Sequence, residues 1–91
     1  MRLKWTAPTI RDLAAAGEYI AAENPEAAAN MAARVLEAVE SLLEYPAIGR
    51  EGRVEDSREL VITGTPFIVM YRLRAPTVQI LRVLHHARQW P

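Results

Sequence analysis

Phe67-Ile68-Val69-Met70-Tyr71-Arg72-Leu73, then Arg74-Ala75-Pro76-Thr77, then Val78-Gln79-Ile80-Leu81-Arg82-Val83-Leu84-His85 reads as two β-rich runs joined by a tight turn. Immediately upstream, Arg58 to Thr63 is a third run, closed off by the Gly64-Thr65-Pro66 turn. Three such runs in succession predict a β-meander of adjacent antiparallel strands. Period-two alternation puts Phe67, Val69, Tyr71 and Leu73 on one face, with Ile68, Met70, Arg72 and Arg74 on the other. In the last run, Gln79, Leu81, Val83 and His85 alternate with Ile80, Arg82, Leu84 and His86. An isolated meander is marginal in water, so one of its faces has to bury against the rest of the chain.

The rest of the chain is helical. Leu3 to Thr6 is a short first strand, because Leu3 and Trp5 alternate with Lys4 and Thr6. Thr6 is placed to cap a helix with Pro8 in its first turn, where an amide lacks an intrahelical acceptor anyway. That helix runs from about Ala7 to Glu23, with Ile10, Leu13, Ala14, Gly17 and Ile20 on its apolar stripe. Asn24-Pro25-Glu26 ends it and starts another, since Asn is a good N-cap and Pro suits the first helical position. The second helix carries Ala28, Met31, Val35, Val39 and Leu42 on one stripe, widened by Leu36 and Leu43. Pro46 to Ser57 then reads as an exposed loop. The expectation is an α+β domain spanning residues 1–91, in the order β-α-α-β-β-β, with an antiparallel sheet packed on a helical hairpin.

Composition narrows the function. A chain of 91 residues is one domain with a small core. Much of its apolar content between Ala14 and Ala38 is alanine, which buries little area and leaves shallow apolar surface for a partner to cover. Eleven basic and eleven acidic residues cancel, which argues against strong direct nucleic-acid binding. The balance is uneven: from Arg58 onward the only acidic residue is Glu59, against arginines 58, 72, 74, 82 and 88. There is no cysteine, and Met1 to Trp5 has no long apolar run, so a soluble cytoplasmic protein with no membrane segment is expected.

Enzyme signatures are sparse. His85 and His86 are consecutive on a strand and point to opposite faces, and no third histidine or cysteine completes a metal site, so neither metal nor cofactor is expected. Arg82 stands between Leu81 and Val83, where its charge has to be paired or aimed at a partner. Trp90, close to the last residue, suggests docking.

Several segments together resemble the RelE/ParE superfamily of toxins: Tyr45-Pro46-Ala47-Ile48-Gly49-Arg50, Arg58-Glu59-Leu60, Phe67 to Arg72, and Val78 to Arg88. The Pro-x-x-Gly-Arg turn and the Leu-His-x-Ala-Arg ending are more similar to the ParE branch than to the RelE branch. The resemblance implies the toxin of a type II toxin-antitoxin pair, held in a hetero-oligomer by a ParD-like antitoxin. ParE toxins poison DNA gyrase, whereas RelE toxins cleave messenger RNA on the ribosome. As a ribosome-dependent ribonuclease the chain would draw on Arg58, Tyr71, Arg82 and His85. Yet it has one lysine, Lys4, and places Ile68 where several nuclease members carry arginine. The reading that follows is a non-catalytic gyrase inhibitor, with an mRNA interferase as the alternative and a module that binds only the antitoxin as a third. Target contacts are expected at Arg72, Arg74, Arg82, His86, Arg88 and Trp90, and antitoxin contacts at Ile10, Leu13, Ile20, Met31, Val35 and Leu42.

Overall fold

The computed structural model describes residues 1–85. The elements are β1 (Arg2–Trp5), α1 (Ala7–Ala21), α2 (Pro25–Ser41), β2 (Arg50–Glu51), β3 (Arg58–Val61), β4 (Phe67–Arg74) and β5 (Thr77–His85). The α+β class and the helical hairpin are as expected from sequence. Both helix starts form by the local chemistry that announces them: the Thr6 hydroxyl accepts from the Thr9 amide, and the Asn24 side chain accepts from the Ala27 amide at 3.1 Å. Pro8 and Pro25 occupy the first turns.

The sheet has the order β1-β5-β4-β3-β2. β3, β4 and β5 form the antiparallel meander. Two features correct the expectation of an antiparallel sheet. β1 runs parallel to β5, pairing Arg2 with Thr77 and Trp5 with Ile80, so the sheet is mixed. The connection from β1 to β5 carries both helices, and a crossover of that kind delivers a strand in parallel. The loop expected over Pro46 to Ser57 also contains a two-residue strand, β2, which extends the sheet beyond β3.

A third correction concerns β5. Met70 pairs with Arg82 but Tyr71 pairs with Ile80, so Leu81 is an extra residue, a bulge. The bulge breaks the period-two reading of the last run. Val78, Ile80 and Val83 all enter the core beside Phe67, Val69 and Tyr71, while Gln79 and Arg82 fall on the other face.

The core lies between that face and the helices. α2 supplies Met31, Val35, Val39 and Leu42, the stripe read from its sequence, and each such side chain contributes roughly 1.5–3 kcal/mol on full burial. α1 contributes less. Leu13, Ala16 and Ile20 pack against the core only partly buried, and Ile10, expected on the inner stripe, is 56% exposed.

Candidate functional site

The candidate functional features of the chain lie in four places, three polar and one an apolar groove. The first lies where the loop after α2 crosses the end of β4. Tyr71 is fully buried, and its hydroxyl donates to the Pro46 carbonyl at 2.8 Å and accepts from the Gly49 amide at 2.9 Å. Burial pushes the Tyr71 phenol above its ordinary pKa, outweighing the opposing bond from Gly49 and the charge of Arg58, so the hydroxyl stays protonated. Arg58, cross-strand neighbour of Tyr71, donates to the carbonyls of Gly49 at 2.8 Å and Ala47 at 3.2 Å. Both residues thereby pin the Pro46 to Gly49 loop against the sheet.

Next to this, Glu59 holds the following loop. Its carboxylate is 3% exposed, takes two bonds from the Arg53 guanidinium at 2.8 and 3.1 Å, one from the Arg53 amide at 2.9 Å and one from Arg50 at 3.3 Å. The Arg53 bonds, against the cost of burial, hold its pKa down to about 2.

The second place is the edge of β5 beyond the end of β1. β1 stops at Trp5, which would leave the outer backbone groups of β5 without partners. Side chains at three-residue intervals on the α1 entry complete the edge. Thr6 Oγ1 donates to the Ile80 carbonyl at 2.7 Å, Thr9 Oγ1 donates to the same carbonyl at 2.8 Å, and Asp12 Oδ2 accepts from the Val83 amide at 2.9 Å. Asp12 also receives Arg82 bidentately, at 2.7 and 2.9 Å, which raises the arginine's pKa. The Arg82 charge is thus paired within the fold.

His85 lies at the far end of β5, its ring edge-on to Phe67 at 5.5 Å. It pairs across the sheet with Phe67, four residues along β4 from Tyr71 and therefore about 13 Å away along the strand. Arg58 and Tyr71 share one end of the core face, Arg82 sits at the β5 edge, and His85 is remote from both. The four residues of the nuclease reading do not converge.

The third place is a groove of about 280 Å³ between α1 and α2, floored by Trp5, Leu13, Gly17, Met31, Val35 and Leu36 together with two alanines of α2. Three of the residues expected to contact an antitoxin, Leu13, Met31 and Val35, are here. Ile10 lies exposed outside the groove, and Ile20 is half-buried against the core. Leu42, fully buried like Val35, does not line the groove. Sequence periodicity missed Trp5, whose position over the helices comes from the parallel β1–β5 pairing; it put Gly17 on the α1 stripe but gave no sign that, by having no side chain, it opens the groove.

The fourth place is the sheet face turned away from the helices. Arg72 and Arg74 both stand on it. Arg74 pairs with the exposed Asp56 at 2.6 Å, whereas the Nε of Arg72 is buried without a hydrogen-bond partner. His86, Arg88 and Trp90 lie outside the described residues. Among the described residues no cluster of three metal-ligating side chains occurs, and no helix is long and apolar enough to cross a membrane.

Comparison with known proteins places this geometry. The chain is 46% identical over 90 residues to Y4kP of Sinorhizobium fredii, covering 99% of this chain and 93% of that protein. It is 39% identical over 84 residues to Toxin RelE2 of Caulobacter vibrioides, covering 92% and 93%. A chain of the chromosomal ParDE TA system from P. aeruginosa superposes with a TM-score of 0.82 at 31% identity, over 93% of this chain and 95% of that one. The family described as ParE toxin of type II toxin-antitoxin system, parDE, matches residues 3–90. With fold and sequence in agreement, the chain belongs to the ParE toxin family of type II toxin-antitoxin systems.

Proposed function

We propose that this toxin arrests growth in the cytoplasm by binding a protein target, DNA gyrase, and stabilising its cleaved complex with DNA, without itself cutting nucleic acid. One observation carries the reading: the groups needed for ribonuclease chemistry are engaged in holding the fold. A tyrosine acting as general base must lose its proton, yet burial makes that harder for Tyr71, and its hydroxyl already has a donor and an acceptor. Arg58 is bound to two loop carbonyls and Arg82 to Asp12. A neutral chain with 11 basic and 11 acidic residues also lacks the basic excess suited to ribosomal RNA. Target contact is assigned to the outer sheet face with Arg72 and Arg74, together with Arg82, His86, Arg88 and Trp90.

Neutralisation is assigned to a ParD-like antitoxin, whose amphipathic helix lies in the groove between α1 and α2 with Leu13, Met31 and Val35 as its floor. The two proteins then form a hetero-oligomer. The 39% identity to a protein named RelE2 favours a second reading, a ribosome-dependent mRNA interferase. Induction of the chain without antitoxin separates the two. Gyrase poisoning produces gyrase-dependent chromosomal breaks and an SOS response with intact transcripts; codon-positioned cleavage of transcripts without breaks would reject it.

A further inference from the structure

The parallel pairing of β1 with β5 builds a surface that no local stretch of the sequence contains. Leu3 and Trp5 face the core, so Arg2 and Lys4 face outward, on the same side as Thr77, Gln79, Arg72 and Arg74. Register sets them in two rows across three strands: Arg2, Thr77, Arg74 and Lys4, Gln79, Arg72. Four cations therefore occupy the corners of a patch about 10 Å across the strands and about 7 Å along them. Asp56, on Arg74, is the one acidic side chain paired with any of the four among the described residues. The Nε of Arg72 is buried and makes no hydrogen bond within the chain.

We infer that this face binds an acidic, extended segment of a partner protein, with carboxylates at alternate positions. In an extended segment alternate side chains share one side at the same spacing of about 7 Å that separates Arg2 from Lys4 and Arg72 from Arg74. Arginine guanidinium groups suit carboxylates bidentately. The centre of the patch chooses between a peptide and a nucleic-acid strand. Gln79 presents an acceptor as well as donors, which a peptide backbone satisfies from both sides and a phosphate, an acceptor only, does not. The inference does not depend on gyrase being the target.

The test is titration of the ¹⁵N-labelled full chain with an acetylated decapeptide of alternating Glu and Thr, beside a Gln-Thr decapeptide and a ten-nucleotide thymidine strand. Amide shifts confined to residues 2–4, 72–74 and 77–79, weakened by salt and absent with the Gln-Thr peptide, are expected. The Lys4→Gln/Arg72→Gln and Arg2→Gln/Arg74→Gln variants each lose at least about tenfold in affinity, with melting temperatures near that of the parent. The second pair lies fully at the surface, so it reports even where the first perturbs folding. Absence of shifts, shifts mapping elsewhere, or undiminished binding by the second variant would overturn the inference. Tighter binding of the thymidine strand at the same residues would overturn it too, in favour of a nucleic-acid surface.

Discussion

The backbone amide of Gly49 donates to the Tyr71 hydroxyl at 2.9 Å, and a methyl group added to Gly49 would stand 2.6 Å from that same oxygen. Glycine is required there by close approach, since the tyrosine ring fills the space a side chain would use. Gly49→Ala is therefore expected to displace either the ring or the loop and to destabilise the fold by about 1–3 kcal/mol. Tyr71→Phe keeps the packing but strands the Gly49 amide and the Pro46 carbonyl, for a loss of a similar size, about 1–3 kcal/mol. Urea denaturation of both variants measures this, and growth arrest should persist in Tyr71→Phe wherever the protein stays folded.

Glu59 gives the stability a defined acid dependence. Its folded pKa of about 2 lies below the ordinary value of 4.5, so the folded state binds this proton less readily than the unfolded chain. Its contribution is complete above pH 4.5 and disappears as pH falls from there toward 2, on the order of 3 kcal/mol in all. Glu59→Gln should be less stable than the parent at pH 7, and the difference should shrink toward zero near pH 2. Denaturation curves over that range check it.

Asp12 is expected to matter more than an ordinary surface carboxylate, because it serves both the Arg82 guanidinium and the Val83 amide. Asp12→Ala leaves the β5 edge unsealed and should cost about 2–3 kcal/mol. Asp12→Asn keeps an acceptor for the amide and should recover part of that. Hydrogen exchange at Val83 distinguishes the two, with protection lost in the alanine variant and retained in the asparagine variant.

Gly17 faces open space, with no atom within 4 Å of an added Cβ. Gly17→Ala should stabilise α1 by about 0.5–1 kcal/mol, the usual gain for replacing glycine inside a helix. Gly17→Phe should instead fill the groove, leaving the fold intact while weakening a ParD-like antitoxin by at least about tenfold. Calorimetric titration of the two variants with the antitoxin tests the groove assignment; unchanged affinity in Gly17→Phe would remove it.

What the sequence made legible was local. Thr6 and Asn24 signal helix starts through bonds to residues three positions away, Pro8 and Pro25 through their fit to the first turn, and the α2 stripe follows from a 3.6-residue period. The meander is equally local, since each strand pairs with its neighbour across a short turn. The unread parts all depend on contacts between distant segments. Arg2 meets Thr77 and Trp5 meets Ile80, each pair 75 positions apart in sequence, which no periodicity encodes. The Leu81 bulge shifts the inward-facing set by one, so Val83 could be put in the core with Val78 and Ile80, rather than beside Gln79, only with the register in hand. Asp12 looks like an exposed helix residue until the β5 edge is brought beside it.

The central claim is that this ParE family toxin acts on gyrase by binding, and reconstitution tests it most directly. Purified chain is added to DNA gyrase and supercoiled plasmid, then the reaction is stopped with detergent and protease. Accumulation of linear plasmid that requires gyrase, and that survives in the Tyr71→Phe variant, is the predicted result. No linear plasmid from parent protein, alongside cleavage of messenger RNA on purified ribosomes, would contradict it.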